Sequence, residues 1–303
     1  EAASLKNALS EYCGFPPEWI TLGNGGDEIL LNLMMAFVPR EGCLMTLSPS
    51  FSGYEQMSRS LGLRTKRIPL EFDGEAVTLR EEKLVDGLAA SSPDMMIIDR
   101  PNNPTGLSVS TEFLNEIASL TRGVVVVDEA YVEFGGGSIL SDKGELPSNV
   151  FVLRTFSKAW GLAGLRVGWG VSKPALRSKV DRVRPPFNVG VIPQEAARVA
   201  LGYSEWMRAR VNTITYTRDR FIEEVKRIPG WIALQSKANF VMLYSKCDKK
   251  MTEKTFKKMG IHARFPDMGV LSEIPGSWVR MTVGLEEEME IVLDALKELS
   301  YRI

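Results

Sequence analysis

Lys158 and Arg166 stand eight positions apart in TFSKAWGLAGLRVGWG (155–170), a stretch made otherwise of small, apolar and hydroxyl residues. A lysine desolvated beside another cation gives up its proton easily and becomes a nucleophile that condenses with carbonyls. The planar fork of arginine suits phosphate. Thr155 and Ser157 add hydroxyls just before the lysine. Most lysines are simply solvated, but Lys158 follows the strand-like VFVL and precedes GLAGL, where a side chain enters a protected crevice. Gly161, Ala163 and Gly164 would let the backbone pass close to a ligand there.

Three more segments carry complementary groups. VVVVDEAYVEF (124–134) ends a four-valine run in Asp128, Glu129 and Tyr131. A carboxylate at the end of a buried strand is costly unless it meets a cation or hydrogen-bond donors. Asp128 therefore either caps local structure or faces a positive group in a pocket. RPNNPTG (100–106) follows the apolar run MMIID, at the carboxyl end of a strand, where open α/β sheets hold their ligands. Asn-Pro and Thr-Gly are ordinary turn formers, while the Asn103 amide offers both a donor and an acceptor. LGNGGDEILLNL opens a glycine turn directly into an amphipathic helix. The N–H groups of Gly26 and Asp27 then lie at the positive end of the helix dipole, a seat for phosphate. A plain strand-to-helix turn capped by Asp27 accounts for the same residues. No GK[ST] follows, so this is no nucleotide P-loop, and the third glycine of the dinucleotide fingerprint is out of register. A phosphate on Gly26, Asp27, Ser157 and Arg166, an aldehyde on Lys158 and a protonated ring nitrogen facing Asp128 together describe one ligand, pyridoxal 5′-phosphate.

Regular elements must hold these groups in place. Apolar residues at helical spacing predict helices over Leu5 to Tyr12, Asp27 to Val38, Tyr54 to Leu61, Thr111 to Leu120 and Gln194 to Leu201. Short apolar runs at 44–47, 95–99, 124–128, 150–153 and 167–171 predict strands. Strands buried on both faces and alternating with helices imply crossovers covering a mostly parallel sheet, an α/β large domain. A polar helix from Ser204 to about Arg227 stops before Pro229 and Gly230. Beyond it FVMLY (240–244), a helix near Thr252 to Met259, WVRMTV (278–283) and a helix from Glu286 to Leu299 predict a smaller α+β domain. The expected division is 1–228 and 229–303. The GGG at 135–137, with the loop to Pro147, reads as a mobile surface segment.

Composition narrows the partners. The 303 residues carry a net charge of −1, with basic and acidic residues interleaved, so no electrostatic footprint for nucleic acid or an anionic membrane is present. Small molecules are the expected partners. Three widely spaced cysteines and the single His262 match no zinc pattern and no disulfide framework. The longest apolar runs are too short to span a bilayer and no leader pattern opens the sequence, which predicts a reducing, cytoplasmic setting.

GNGGDE, PSFSGY, PNNPTG, DEAYVEF, TFSKAWGLAGLR, PPFNV and GIHARF followed by WVRMTVG occur in that order over nearly the whole chain. In these motifs the sequence resembles the fold-type I, aspartate-aminotransferase-like enzymes that use pyridoxal phosphate, the class I and II aminotransferases, and within them the histidinol-phosphate aminotransferases. The resemblance implies that Lys158 carries the cofactor aldehyde, that Asp128 pairs with the ring nitrogen, and that Asn103 and Tyr131 hydrogen-bond the ring hydroxyl. Phe51 would stack on the ring where the family usually has tyrosine. Arg264 and Arg280 match the family's two substrate arginines, Arg280 for the donor's carboxylate or phosphate and Arg264 for a second anionic group. The implied reaction converts L-histidinol phosphate and 2-oxoglutarate into imidazole acetol phosphate and L-glutamate in histidine biosynthesis, in a homodimer. The same fold also serves aminotransferases for aromatic and other amino acids, a threonine-phosphate-decarboxylase-like activity, and cofactor-sensing regulatory domains. The family further implies an N-terminal arm of several dozen residues that closes over substrate and lends a tyrosine across the dimer interface; these 303 residues hold no counterpart of it.

Overall fold

The computed structural model describes residues 2–135, 137–141 and 146–301. Its centre is a seven-stranded sheet containing β1 (Ile20–Asn24), β2 (Cys43–Ser48) and β3 (Arg64–Pro69). A small hairpin of β4 (Glu71–Phe72) and β5 (Val77–Thr78) follows. The sheet continues with β6 (Met95–Asp99), β7 (Val124–Asp128), β8 (Val150–Thr155) and β9 (Val167–Val171), in the spatial order β1-β9-β8-β7-β6-β2-β3. Every residue of β2, β6, β7, β8 and β9 is buried, as expected of strands covered on both faces. The edge strand β3 instead exposes Arg64 and carries Lys66 and Arg67, charges that discourage further strand pairing.

The sheet is mostly parallel, with one reversal. β9 runs antiparallel to both β8 and β1, because the link from Thr155 to Val167 is too short to carry a crossover helix across the sheet. The consequence matters for the site. β1, β6, β7 and β8 all end on one edge of the sheet, and β9 begins there, directly after Arg166.

Helices α1 (Ala3–Cys13), α2 (Gly25–Phe37), α3 (Ser52–Ser60), α4 (Glu81–Ser91), α5 (Thr111–Leu120), α6 (Pro174–Val183) and α7 (Val191–Leu201) surround the sheet. Strand residues alternate between two cores. Met95, Ile97, Val124, Val126 and Leu153 pack with Ile29, Leu30 and Leu33 of α2. Met96, Ile98, Val125, Val127 and Val152 pack on the other side with Phe113, Ile117 and Trp169. Extending that two-residue period by one step puts Asp99, Asp128 and Thr155 on the α2 face and Arg100, Glu129 and Arg154 on the opposite face.

The long α8 (Ser204–Val225) puts Met207 and Val211 into the larger core and Phe221, Ile222 and Val225 into a second one. That second core lies under an antiparallel sheet of β10 (Trp231–Ala233), β11 (Phe240–Ser245) and β12 (Ser277–Thr282), with α9 (Lys249–Lys258) and α10 (Glu286–Ser300) packed on it. The apolar runs do not foretell β1, β3, α4 or α6. The segment expected to be mobile at the surface falls partly on Gly136 and residues 142–145, outside the described residues. Its described part is anchored: Ile139 and Leu140 are buried, and Ser138 Oγ and Ile139 N donate to Glu129 at 2.6 and 2.8 Å. Among the described residues no helix is long and apolar enough to cross a membrane.

Candidate active site

A cavity of about 170 Å³ opens at the sheet edge where β6, β7 and β8 end, and Gly26, Asp27, Phe51, Tyr54, Asp99, Asn103, Asp128, Tyr131, Thr155, Ser157, Lys158 and Arg166 line it. All ten residues assigned to the cofactor from the sequence are in that set, together with Tyr54 and Asp99, which the sequence reading does not single out.

One end of the cavity is built for an anion. Gly25, Gly26 and Asp27 form the first turn of α2, where backbone N–H groups lack intrahelical acceptors. Gly25 has φ +79°, and the backbones of Gly25 and Gly168 approach so closely that a Cβ on Gly168 would fall 2.4 Å from the Gly25 carbonyl carbon. Arg166 takes φ +54°, a strained conformation for a residue with a side chain, and its Nη2 donates to Asp27 Oδ2 at 3.0 Å. Both side chains of this pair are solvent-accessible, 44 and 60%. Thr155 Oγ1 donates to Ser157 Oγ at 3.0 Å and accepts from Ser157 N at 3.1 Å. The close approach within the chain is at Gly168; a Cβ at Gly161 or Gly164 would meet no other atom of the chain within 4 Å.

The other end holds two buried carboxylates. Asp128 Oδ2 accepts from Tyr54 Oη at 2.7 Å and Oδ1 from Ala130 N at 3.0 Å. Asp99 stands opposite Asp128 in the β6–β7 register. It accepts from Asn102 Nδ2 at 2.9 Å and Asn103 N at 2.8 Å. Burial pushes Asp99 up to about 7, helped by the negative charge of Asp128 and opposed by its own hydrogen bonds. Burial likewise raises Asp128 to about 6, against the pull of the Tyr54 hydroxyl and Ala130 N–H. The Tyr54 phenol is held well above its ordinary range by burial and then by Asp128 and Asp99.

Lys158 lies between the two ends, its Nζ 5.2 Å from the centre of the Tyr131 ring. The sequence predicts a desolvated lysine with Arg166 as neighbouring cation; in the structure Lys158 is exposed and Arg166 is engaged with Asp27. Phe51 packs edge-on against Tyr54, ring centres 5.3 Å apart. Asn103 Oδ1 accepts from Arg280 Nη1 at 2.6 Å. Arg280 is half-buried with its guanidinium carbon 4.9 Å from the Phe240 ring centre, and Tyr131 meets the same ring edge-on at 5.1 Å. Burial lowers the proton affinity of Arg280, and the like charge of Arg264 adds to this. Arg264 is exposed and pairs with Arg280 only through backbone hydrogen bonds of 2.8 and 3.2 Å. Neither arginine is among the residues that line the cavity itself.

Behind the cavity, on the opposite face of the sheet, Arg154 is buried between Glu129, 2.8 Å away, and Glu133, 3.2 Å away. Arg100 on the same face bonds Thr111 Oγ1 at 3.0 Å. The two arginines and two glutamates balance in charge, as a buried ionic cluster must. Burial raises Glu133, with Arg154 opposing.

The donor set suits the three groups expected from the sequence. The exposed amine of Lys158 lines the cavity and can meet an aldehyde, a helix terminus with Arg166 and Ser157 can take a phosphate, and the buried Asp128 can meet a cationic ring nitrogen. A side chain at Gly168 would collide with the backbone of Gly25 and Gly26 at the start of α2.

The family model for aminotransferase class I and II matches residues 1–296. The chain is 33% identical over 302 residues to the histidinol-phosphate aminotransferase of Clostridium novyi (strain NT), covering 99% of this chain and 82% of that protein. Among solved structures it is similar to histidinol-phosphate aminotransferase from Clostridium acetobutylicum, with a TM-score of 0.88 and 24% identity over 100% of this chain and 90% of that one. It is also similar to the Sinorhizobium meliloti enzyme in complex with pyridoxal-5′-phosphate, with a TM-score of 0.87 and 24% identity over 99 and 82% of the two chains.

Proposed function

The chain belongs to the class I and II aminotransferase family, and on that premise we propose that it moves an amino group from L-histidinol phosphate to 2-oxoglutarate with pyridoxal 5′-phosphate as cofactor. The observation that carries the reading is the shared cavity: the amine of Lys158, the anion seat at Arg166 and the α2 terminus, and the buried Asp128 line one space. Support for the donor comes from relatives such as the Clostridium novyi protein, named for that substrate.

In this reading Gly26 and Asp27 N–H, Thr155, Ser157 and Arg166 hold the phosphate. Asp128 faces the ring nitrogen, because an adjacent anion favours its protonated form. Asn103 and Tyr131 hold the ring hydroxyl, and Phe51 covers a ring face. When bound, the cofactor supplies an electron sink for the negative charge that develops at the donor's α-carbon. Lys158 would hold the aldehyde, and its Nζ, when free, would take the proton from the donor's α-carbon. Arg280 grips an anionic group of the donor and Arg264 assists. Release of the keto product and entry of 2-oxoglutarate repeat these roles in reverse, giving ping-pong kinetics.

The same reading includes a homodimer. Phe187, Val191 and Ile192 are 81, 80 and 77% exposed, an apolar grouping of the kind that marks a protein interface. It also includes a cytoplasmic setting, supported by the free thiols of Cys13, Cys43 and Cys247.

A half-reaction panel tests the function. Cofactor-loaded protein is mixed separately with L-histidinol phosphate, phenylalanine and threonine phosphate while the visible band of the bound aldehyde is followed. Histidinol phosphate should bleach it fastest at equal concentration; a faster response to either rival overturns the donor. Lys158→Ala should lack the band and the activity while melting within a degree or two of wild type, as expected for an exposed side chain.

A further inference from the structure

Asp128 has an unassigned neighbour. Asp99 ends β6 as Asp128 ends β7, the two are Cα partners across the parallel pair, and both line the cavity. Adjacent strands lie about 4.8 Å apart, and the two-residue period turns both side chains to the same face. Two carboxylates so close in a buried place do not ionise independently. The hydrogen bonds on Asp99 come from Asn102 and Asn103, neutral donors that leave its charge uncompensated.

We propose that Asp99 is a second anion of the ring end of the cavity, acting with Asp128 as one carboxylate pair that holds a shared proton when the cavity contains no cation and gives it up when a pyridinium ring is taken in. The proton leaves for solvent and the pyridinium faces two carboxylates. The inference rests on the cofactor reading above and is independent of which amino donor is used.

The other charged and titratable groups around the pair are accounted for. Tyr54 on α3 donates to Asp128 and is held protonated. Tyr131 after β7, Lys158 after β8, and Asp27 on α2 with its partner Arg166 line the same cavity. Arg280 on β12 reaches Asn103, the residue whose N–H Asp99 holds. The raised proton affinity of Asp99 and Asp128 agrees with the shared proton.

The test uses cofactor-free full-length protein and pyridoxine 5′-phosphate, which has no aldehyde and so leaves Lys158 out of the chemistry. Its dissociation constant is measured by tryptophan fluorescence from pH 5 to 9 for wild type and Asp99→Asn. The ratio of the two constants cancels the probe's own titration. At low pH wild type must expel the shared proton to bind, whereas the variant keeps only Asp128, whose proton comes off more easily without its neighbour. At high pH wild type offers two anions and the variant one. The variant should therefore bind as well as or better than wild type near pH 5 and about tenfold or more weaker near pH 8, the ratio changing by up to about tenfold per pH unit between. A ratio independent of pH overturns the proposal and makes Asp99 an anchor of the Asn102 turn only. Should Asp99→Asn not fold, wild type alone suffices: at pH 6 the infrared band of a protonated buried carboxyl should disappear on adding the probe, and its persistence overturns the proposal. Absence of probe binding by wild type overturns the cofactor reading itself, and this inference with it.

Discussion

The hydroxyl of Tyr54 donates to Asp128 Oδ2 across 2.7 Å, with both side chains buried. Asp128 sits at the end of a four-valine strand where its charge would otherwise be stranded, and among the described residues the other donor to its carboxylate is Ala130 N. Tyr54→Phe keeps the ring that packs against Phe51 and removes the donor. It should cost about 1.5–3 kcal/mol of stability at pH 8, the range for a hydrogen bond to a charged group. At pH 5 the carboxylate pair has taken up a proton, and the cost should shrink. Urea titrations of the cofactor-free protein at both pH values check this; an equal loss at the two would mean that the hydroxyl does not serve the carboxylate.

The raised carboxyls also fix the sign of a pH effect. Asp99 and Asp128 bind protons more tightly folded, about 7 and about 6, than an unfolded aspartate, whose value is about 3.9. Their contribution to stability is fully present below the unfolded value and is lost as pH rises through about 6 and then about 7. Cofactor-free wild type should melt at lower temperature at pH 8 than at pH 5. Asp128→Asn should lessen that fall, since one of the two buried charges is gone. Calorimetric scans across this range measure it, and an unchanged slope in the variant would assign the pH effect to other groups.

Much of this site can be read from the chain. A carboxylate ending a run of valines, a glycine turn opening a helix and a lysine after a strand each state a local physical need, and the ten cofactor residues expected from them line one cavity. Asp99 ends MMIID as Asp128 ends VVVVD, so the same reasoning could have found it; Tyr54 could not be found that way, because its role depends on α3 packing across the sheet end. β1 and β3 escape because one mixes glycine and polar residues into ITLGN and the other is a charged edge, RTKRIP. The openness of Lys158 is tertiary too, since nothing in TFSKAWGLAGLR says what covers it.

Arg154 and Arg166 lie twelve positions apart and answer to different physics. Arg154 is buried between Glu129 and Glu133, and removing one partner of a buried ionic group leaves uncompensated charge. Arg154→Met should lose about 3–5 kcal/mol. Arg166 makes an exposed pair with Asp27, and Arg166→Ala should lose less than about 1 kcal/mol. The ranking reverses for ligand binding: Arg166→Ala should weaken pyridoxine 5′-phosphate by about tenfold or more, the loss of a charge-assisted contact to phosphate. Denaturation curves and probe titrations on the two variants check both halves, and a stable Arg154→Met would break the contrast.

Arg280 is poised for a ligand that the protein itself does not supply. Nη1 is used on Asn103 Oδ1, the guanidinium lies over Phe240, and Nε is buried with no partner. An unmatched buried donor is costly, so an anionic group on the amino donor would relieve the arginine as it is bound. Arg280→Lys keeps the charge and loses the planar fork. It should raise the KM for the donor by about tenfold, some 1.4 kcal/mol of binding, with a smaller change in kcat. Arg280→Ala should raise it further while cofactor affinity changes less, because Arg280 is not itself part of the cavity lining and reaches it through Asn103 and Tyr131. Steady-state kinetics give the first quantity and probe titration the second. Loss of the cofactor from Arg280→Ala would instead make the bond to Asn103 the purpose of the arginine, and the donor's anionic group would then need another partner.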